Sequence, residues 1–276
     1  MPKRSASVAT SAQKTEGKGK QELRYKAILN ALNQTGSVSV DTLGAEIGVT
    51  PVTIRRDLEV LDRKGLLQRT HGGAVPIQPL FYQPFRRDRS FVAQVERQAD
   101  QKRRIGYAAA ALIQPDETIA VTPGTTAAAV VRALPLNYNL TVVTNTANVV
   151  MELSMRKDVK VFVTGGTLHG EWFSLVGPHA IRSLEHMLIH TLFIGADGLE
   201  PEWGATSYDP DEGELARTMV EHARRHIAVV DHTKLGKVAN WRICPARALQ
   251  TIVTDDGATD LMIAPFLDLG IEVVRV

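Results

Sequence analysis

The sequence predicts two folded parts in series: a small helical unit closed by a short hairpin, then a larger α/β unit built on a mostly parallel sheet. Three observations predict this. Two short apolar stripes of helical period, Val40–Leu43–Ile47 and Ile54–Leu58–Leu61, lie either side of Gly48. Past residue 100, short continuous apolar runs alternate with helical patterns, the signature of strands covered on both faces. Charge divides unevenly too: twelve Lys and Arg against seven Asp and Glu up to Val75, and twenty against twenty-three beyond it. The 276 residues suffice for two domains of ordinary size.

The bulk properties narrow the classes. A basic excess confined to the first part suits a polyanionic partner. The single cysteine, Cys244, cannot form an internal disulfide, as expected in a reducing cytoplasm. No apolar run approaches about 18 residues, so no membrane span is expected. Residues 1–20 are basic, rich in Ser, Ala, Lys and Gly, and lack the apolar core of a signal peptide; they read as a disordered tail.

Residues 21–75 read as one unit. Tyr25, Ile28, Leu29 and Leu32 fall at helical spacing. A second helix runs from about Val40 to Ile47, with Gly48 as its stop. Thr50 can cap a third, and Pro51 suits the first helical position, where its missing N–H costs nothing. Thr53, Arg55 and Arg56 lie off the apolar stripe and face outward. Then strand-like residues meet at Gly72-Gly73 in a hairpin, Leu67–Val75, with Arg69 and His71 near its tip. Two short helices joined by a tight turn match a helix-turn-helix, whose second helix is free to enter a major groove. Arginine pairs bidentately with guanine, and a threonine can contact a thymine methyl.

On these residues the chain resembles the winged helix-turn-helix of the DeoR family of bacterial transcriptional regulators. The resemblance is carried by Arg24 to Leu29, by Val49-Thr50-Pro51-Val52-Thr53-Ile54-Arg55-Arg56-Asp57-Leu58, and by Arg69-Thr70-His71-Gly72-Gly73-Ala74. It implies double-stranded operator DNA as a partner. The expected contacts are Ser39, Thr50, Val52, Thr53, Arg55, Arg56, Arg69 and His71.

Residues 76–99 read as a linker. Pro76, Pro79 and Pro84 favour extended backbone, Arg86, Arg87 and Arg89 cluster, and Phe81, Tyr82, Phe85 and Phe91 suggest packing against something. Residues 100–276 alternate helices with strands at 118–122, 140–144, 159–164, 191–194, 227–230, 251–254 and 271–276. Helices are expected at 102–113, 125–134, 146–153, 178–188 and 213–225.

Small and polar residues follow the strands: Pro123-Gly124-Thr125-Thr126, Asn145, Gly165-Gly166, Gly195-Ala196-Asp197-Gly198 and Asp231-His232-Thr233-Lys234. In an open α/β sheet that edge is where ligands bind. Gly124-Thr125-Thr126 at a helix N-terminus suits an anion such as phosphate, though it reads equally as a capped turn. Lys234 can supply a cation. Gly165-Gly166 can be only a tight turn, and Asp197 only a turn residue.

The second half also resembles the DeoR family, whose effector domain shares its fold with ribose-5-phosphate isomerase and binds phosphorylated sugars. The resemblance implies ligand contacts at Gly124, Thr125, Thr126, Asn145, Gly165, Gly166, Asp197 and Lys234. Four positions depart from the family pattern: Thr122 and His190 replace aspartates, Pro123 replaces a small residue, and Arg217 replaces a lysine.

The expected function is a regulator, most often a repressor in this family, of a carbohydrate-metabolism operon. Its operator affinity would respond to a phosphorylated sugar, and the chain is expected to be a homo-oligomer. The alternative is a sugar-phosphate isomerase-like enzyme. Lys234 would stabilise an enolate oxygen, and the base would be Asp197, Asp209, Asp211, Glu212 or Glu214. No cofactor is expected. Nor is a metal, since the histidines show no ligand spacing; His222 and His226 stand four apart without a visible third ligand.

Overall fold

The computed structural model describes residues 20–32, 35–63, 66–76, 97–169 and 173–276. Most of the basic tail and most of the linker, with its aromatic and arginine clusters, lie outside the described residues. The chain divides into two compact units, Met1–Gln78 and Pro79–Val276.

The first unit is three helices and a small sheet. Helix α1 covers residues 20–32. Strand β1 is Val38–Ser39, α2 is Val40–Ile47 and α3 is Pro51–Arg63. The wing is β2, Gln68–Thr70, and β3, Gly73–Val75. The caps follow the sequence. Gly48 ends α2 by donating its N–H to the Gly44 carbonyl. Thr50 Oγ1 accepts from Thr53 N–H at 3.4 Å, and the Thr50 and Thr53 hydroxyls bond each other at 3.0 Å. Ile28, Leu32, Leu43, Ile54, Leu58 and Leu61 close the core, with Leu67 and Ala74 from the wing. The two-residue β1 was not expected; it pairs antiparallel with β3, so the wing is the outer part of a three-stranded sheet.

The second unit is a seven-stranded sheet, parallel throughout. Its strands are β4 Thr118–Val121, β5 Leu140–Thr144, β6 Val159–Val163, β9 Ile189–Ile194, β12 Ala223–Val229, β14 Thr251–Thr254 and β15 Glu272–Arg275. Their order is β15-β14-β12-β9-β4-β5-β6. The chain begins at β4, builds outward through β5 and β6, then returns to β9 on the other side of β4. The order therefore reverses between β4 and β9, and a crevice opens at such a reversal.

Both faces are covered, because successive residues of a strand point to opposite sides. On one face Ile119, Val121, Val142, Phe193, Ile227 and Val253 pack with helices α4 (Ala99–Ala110), α5 (Thr125–Arg132) and α6 (Ala147–Leu153). On the other, Ala120, Val143, Leu192, Ile194, Ala228 and Ile252 pack with α7 (Pro178–Arg182), α8 (Pro210–His222) and α9 (Asp260–Asp268).

Several expected boundaries move. The helix expected at 178–188 stops at Arg182 and continues as turns. The helix expected at 213–225 starts earlier, because Asp209 caps it by accepting from Glu212 N–H at 2.9 Å. Helix α9 was missed; Pro265 interrupts its pattern. So were the hairpin β7–β8 (Thr167–His169, Ser174–Val176) and the antiparallel sheet β10-β11-β13 (Gly198–Glu200, Gly204–Ser207, Trp241–Cys244). Strands of three or four residues, several rich in Gly, Ser and Thr, are too short to establish an alternation.

Candidate functional site

Two surfaces carry chemistry. The first is the outer face of α3. The apolar stripe Ile54–Leu58–Leu61 is buried, which turns the rest of the helix outward. Arg55 and Arg56 are exposed, as are Thr50, Ser39, Arg69 and His71, while Thr53 is half-buried. Val52 is 70% exposed, unusual for a valine in a folded unit. Arg24 and Asp57 have a different role. Asp57 is buried, and the Arg24 guanidinium donates to its two carboxylate oxygens at 2.7 and 3.3 Å, tying α1 to α3. Ser39 caps α2: its Oγ accepts from Thr42 N–H at 3.1 Å and donates to Thr42 Oγ1 at 2.8 Å.

The second surface is a cavity at the strand reversal. It is lined by Pro123, Gly124, Thr125 and Thr126 after β4, by Gly195, Ala196 and Asp197 after β9, and by Asp231 and Lys234 after β12. Lys102 of α4, Asn148 of α6, Ser207 at the end of β11 and Glu212 in the first turn of α8 complete the wall. Gly124 sits at φ +135°, a conformation open to glycine, and starts α5 with no side-chain cap. The first amides of that helix therefore face the cavity side of the sheet without an intrahelical acceptor.

Fixed partners hold these loops. Thr122 is buried, and its Oγ1 accepts from Gly195 N–H at 2.9 Å, joining the β4 and β9 loops. Asp197 accepts from Tyr208 N–H at 3.0 Å and stands 3.9 Å from Lys234 Nζ. Lys234 ends a 3-10 turn, His232–Lys234, in which Asp231 accepts from Thr233 N–H at 3.0 Å. Buried Asp255 accepts from His232 N–H and binds its Nδ1, both at 2.7 Å, which pins the turn to β14.

Charge is distributed unevenly around the wall. Burial pushes the Lys102 amine down to about 8, against the pull of Asp231. Burial raises the Glu212 carboxyl, although Ser174, which donates to Glu212 Oε1, opposes the shift. The charges acting on Lys102 are Asp231, Lys234 and Arg97; those acting on Glu212 are Asp209, Asp197 and His169. Each lysine of the wall thus has a carboxylate near it, Asp231 acting on Lys102 and Asp197 standing 3.9 Å from Lys234, while Glu212 lies among further carboxylates.

Of the eight ligand residues the resemblance implied, Gly124, Thr125, Thr126, Asp197 and Lys234 line the cavity. Asn145, Gly165 and Gly166 do not. Asn145 is buried, and its Nδ2 donates to the Leu175 carbonyl at 3.1 Å, clamping β8. A Cβ on Gly166 would come within 2.5 Å of the Val176 carbonyl, so this glycine lets β8 pass closely. Of the four departures, only Pro123 lines the cavity. His190 lies at the opposite end of its strand, where its Nδ1 accepts from Thr118 N–H at 3.0 Å, and Arg217 is exposed on α8. Lys102, Asn148, Ser207 and Asp231 were missed as site residues. Lys102 stands in the run Gln101-Lys102-Arg103-Arg104, which reads as a solvated helix face.

His169, Asp209 and Asp211 offer ligand atoms within 4.8 Å of one another. Asp209 is already the cap of α8, and the group is only partly buried. The spacing of these residues in the sequence gave no indication of it. His226 is committed elsewhere, with both ring nitrogens against backbone carbonyls of Ala248, Val220 and Ala223.

Comparison with known proteins covers both units of the chain. A DeoR-like helix-turn-helix domain matches residues 24–79, and a DeoR C terminal sensor domain matches residues 97–256. The chain belongs to the DeoR family of transcriptional regulators. It is 31% identical to the HTH-type transcriptional regulator GlpR of Haloferax volcanii, over 84% of this chain and 89% of that one. It is 30% identical to the glycerol-3-phosphate regulon repressor of Escherichia coli strain K12, over 86% and 91%. Against the HTH-type transcriptional repressor GlcR of Bacillus subtilis strain 168 the identity is 29%, over 85% and 88%. Among solved structures, ribose 5-phosphate isomerase A from Methanocaldococcus jannaschii overlaps 50% of this chain and 54% of its own, at 15% identity and a TM-score of 0.38. That likeness is too slight to carry an argument; the fold rests on the sheet order itself. The protein is a DNA-binding regulator rather than an enzyme, which sets the isomerase alternative aside. No helix among the described residues is long and apolar enough to cross a membrane.

Proposed function

We propose that this DeoR-family protein represses a carbohydrate-metabolism operon and that a phosphorylated sugar, bound in the sensor cavity, sets its affinity for operator DNA. One observation carries the reading: an uncapped helix N-terminus and two lysines share a cavity with acidic and amide side chains. Helix amides and ammonium groups suit a phosphate, and carboxylate and amide oxygens suit sugar hydroxyls. Gly124, Thr125, Thr126, Lys102 and Lys234 take the phosphate. The names of the relatives, repressors of a glycerol-3-phosphate regulon among them, support the same class of effector.

On the DNA side, Arg55 and Arg56 read or clamp the major groove with Thr50, Val52 and Thr53. Arg69 and His71 reach the adjacent backbone from the wing, and Ser39 lies at the phosphate next to α2. The chain works as a homo-oligomer, because paired winged units match paired half-sites.

The test has two stages. Duplex DNA selected from a random pool on the purified full chain should yield a defined sequence. Fluorescence anisotropy on that duplex should then show a change in affinity with phosphorylated sugars and none with their unphosphorylated parents. Failure to enrich any sequence would remove the operator reading. An operator that no phosphorylated compound affects would remove the effector.

A further inference from the structure

The cavity wall holds an acceptor that nothing among the described residues satisfies. Asn148 lines the cavity, and its Oδ1 is screened from solvent yet has no hydrogen-bond partner among the described residues. A buried polar atom without a partner is costly, and native proteins rarely leave one unless something else fills it. Its neighbourhood contains a second acceptor. Thr146, two residues before Asn148, forms an antiparallel bridge with Ser174. Ser174 in turn donates its hydroxyl to Glu212 Oε1. Glu212 also lines the cavity and brings a second carboxylate oxygen, Oε2, beside the one that Ser174 engages. One short path through β8 therefore links two acceptor side chains of the same wall. Neither group can donate from these oxygens while Glu212 is ionised, so both ask the ligand for O–H or N–H groups.

We propose that Asn148 and Glu212 form the hydroxyl-reading part of the effector cavity, selecting polyhydroxylated phosphate esters over bare phosphate. The proposal rests on the sugar-phosphate reading of this cavity and adds to it the residues that choose the sugar. Asp197 lies between this part and the phosphate side, since it faces Lys234. A ligand spanning the cavity meets the lysines with its phosphate and the two acceptors with its hydroxyls.

The experiment compares dissociation constants by titration calorimetry on the full chain. The probes are inorganic phosphate, glycerol 3-phosphate, ribose 5-phosphate, 2-deoxyribose 5-phosphate, fructose 1-phosphate and fructose 6-phosphate. The variants are Glu212→Gln and Asn148→Ala. In Glu212→Gln the Ser174 hydroxyl still needs the Gln oxygen, which turns the amide NH2 to the cavity and presents a donor where an acceptor stood. Asn148 is only half-buried, so its alanine variant should fold even if the glutamine does not.

For the tightest-binding ester, the advantage over inorganic phosphate should fall about tenfold in each variant, the worth of a well-made hydrogen bond. Esters with fewer hydroxyls should lose less. If the wild-type protein prefers one ester and both variants keep that preference, the assignment of Asn148 and Glu212 is wrong while the sugar-phosphate reading stands. If the variants lose inorganic phosphate and ester affinity equally, the two residues only support the wall, and the proposal falls. If the wild-type protein binds none of the esters better than inorganic phosphate, the sugar-phosphate reading fails and takes this proposal with it.

Discussion

The two functional surfaces handle charge in opposite ways. On α3 Arg55 and Arg56 stand in solvent, while the adjacent carboxylate, Asp57, is buried and paired with Arg24. In the sensor cavity the charged groups themselves are partly or wholly buried: Lys102 is 4% and Asp231 3% exposed. An exposed arginine costs the fold nothing and waits for a polyanion, whose many phosphates supply the affinity. A buried lysine costs the fold desolvation, which Asp231 beside it offsets in part. Function is therefore nearly separable from stability on α3 and coupled to it in the cavity.

Four measurements can break or sharpen that contrast. The largest effect belongs to Lys234→Ala. A ligand at about 100 times its dissociation constant adds roughly 2.7 kcal/mol of stability, seen as a raised melting temperature. The variant should lose that shift, while its melt without ligand barely moves, because its pairing with Asp197 is long at 3.9 Å. A ligand shift that survives would take Lys234 out of the site.

Next comes Asp57→Ala. It strips Arg24 of its partner and should cost about 2 kcal/mol in a urea melt followed through the winged unit. Beside it, Arg55→Ala or Arg56→Ala should leave stability within about 0.5 kcal/mol and cost about 1–3 kcal/mol of operator binding if that residue meets a base. Equal losses of stability in all three would erase the distinction between the buried pair and the free arginines.

The smallest effect is one of pH. Lys102 sits near 8, below the ordinary lysine range, because burial disfavours its charge. Below about pH 8 the amine is charged in both the folded and unfolded chain, so the cost of burying the charge is fully present. As pH rises through 8 that cost relaxes, and the ligand-free protein gains stability from this group. Anion binding needs the ammonium, so affinity for a phosphate ester should fall up to about fivefold from pH 8 to pH 9, as the charged fraction drops. Phosphate itself is already doubly charged there. Calorimetric titrations at pH 7, 8 and 9 would show it, and Lys102→Met should flatten the profile; a flat wild-type profile would remove Lys102 from the anion's contacts.

Much of the winged unit was legible because its information is local. The stripe Ile54–Leu58–Leu61 decides which way Arg55 and Arg56 point, and Thr50, Pro51 and Gly48 set where the helices begin and end. The parallel strands were legible for a similar reason: each is a short apolar run between loops. From those the edge of the sheet that carries Gly124, Asp197 and Lys234 follows.

Only the tertiary structure decided which neighbours of those residues belong to the site. Lys102 and Arg103 are adjacent cations in the sequence, and packing of α4 on the sheet buries one and leaves the other more open. Asn145 and Asn148 are three residues apart, yet the first clamps β8 and the second lines the cavity. Glu212 looks like one more acid in the Asp209–Glu214 run until β8 brings Ser174 against it. Periodicity fixes the direction of a side chain relative to its own helix or strand. Burial, desolvation and the identity of a partner depend on which elements come together, and that depends on contacts distant in the sequence.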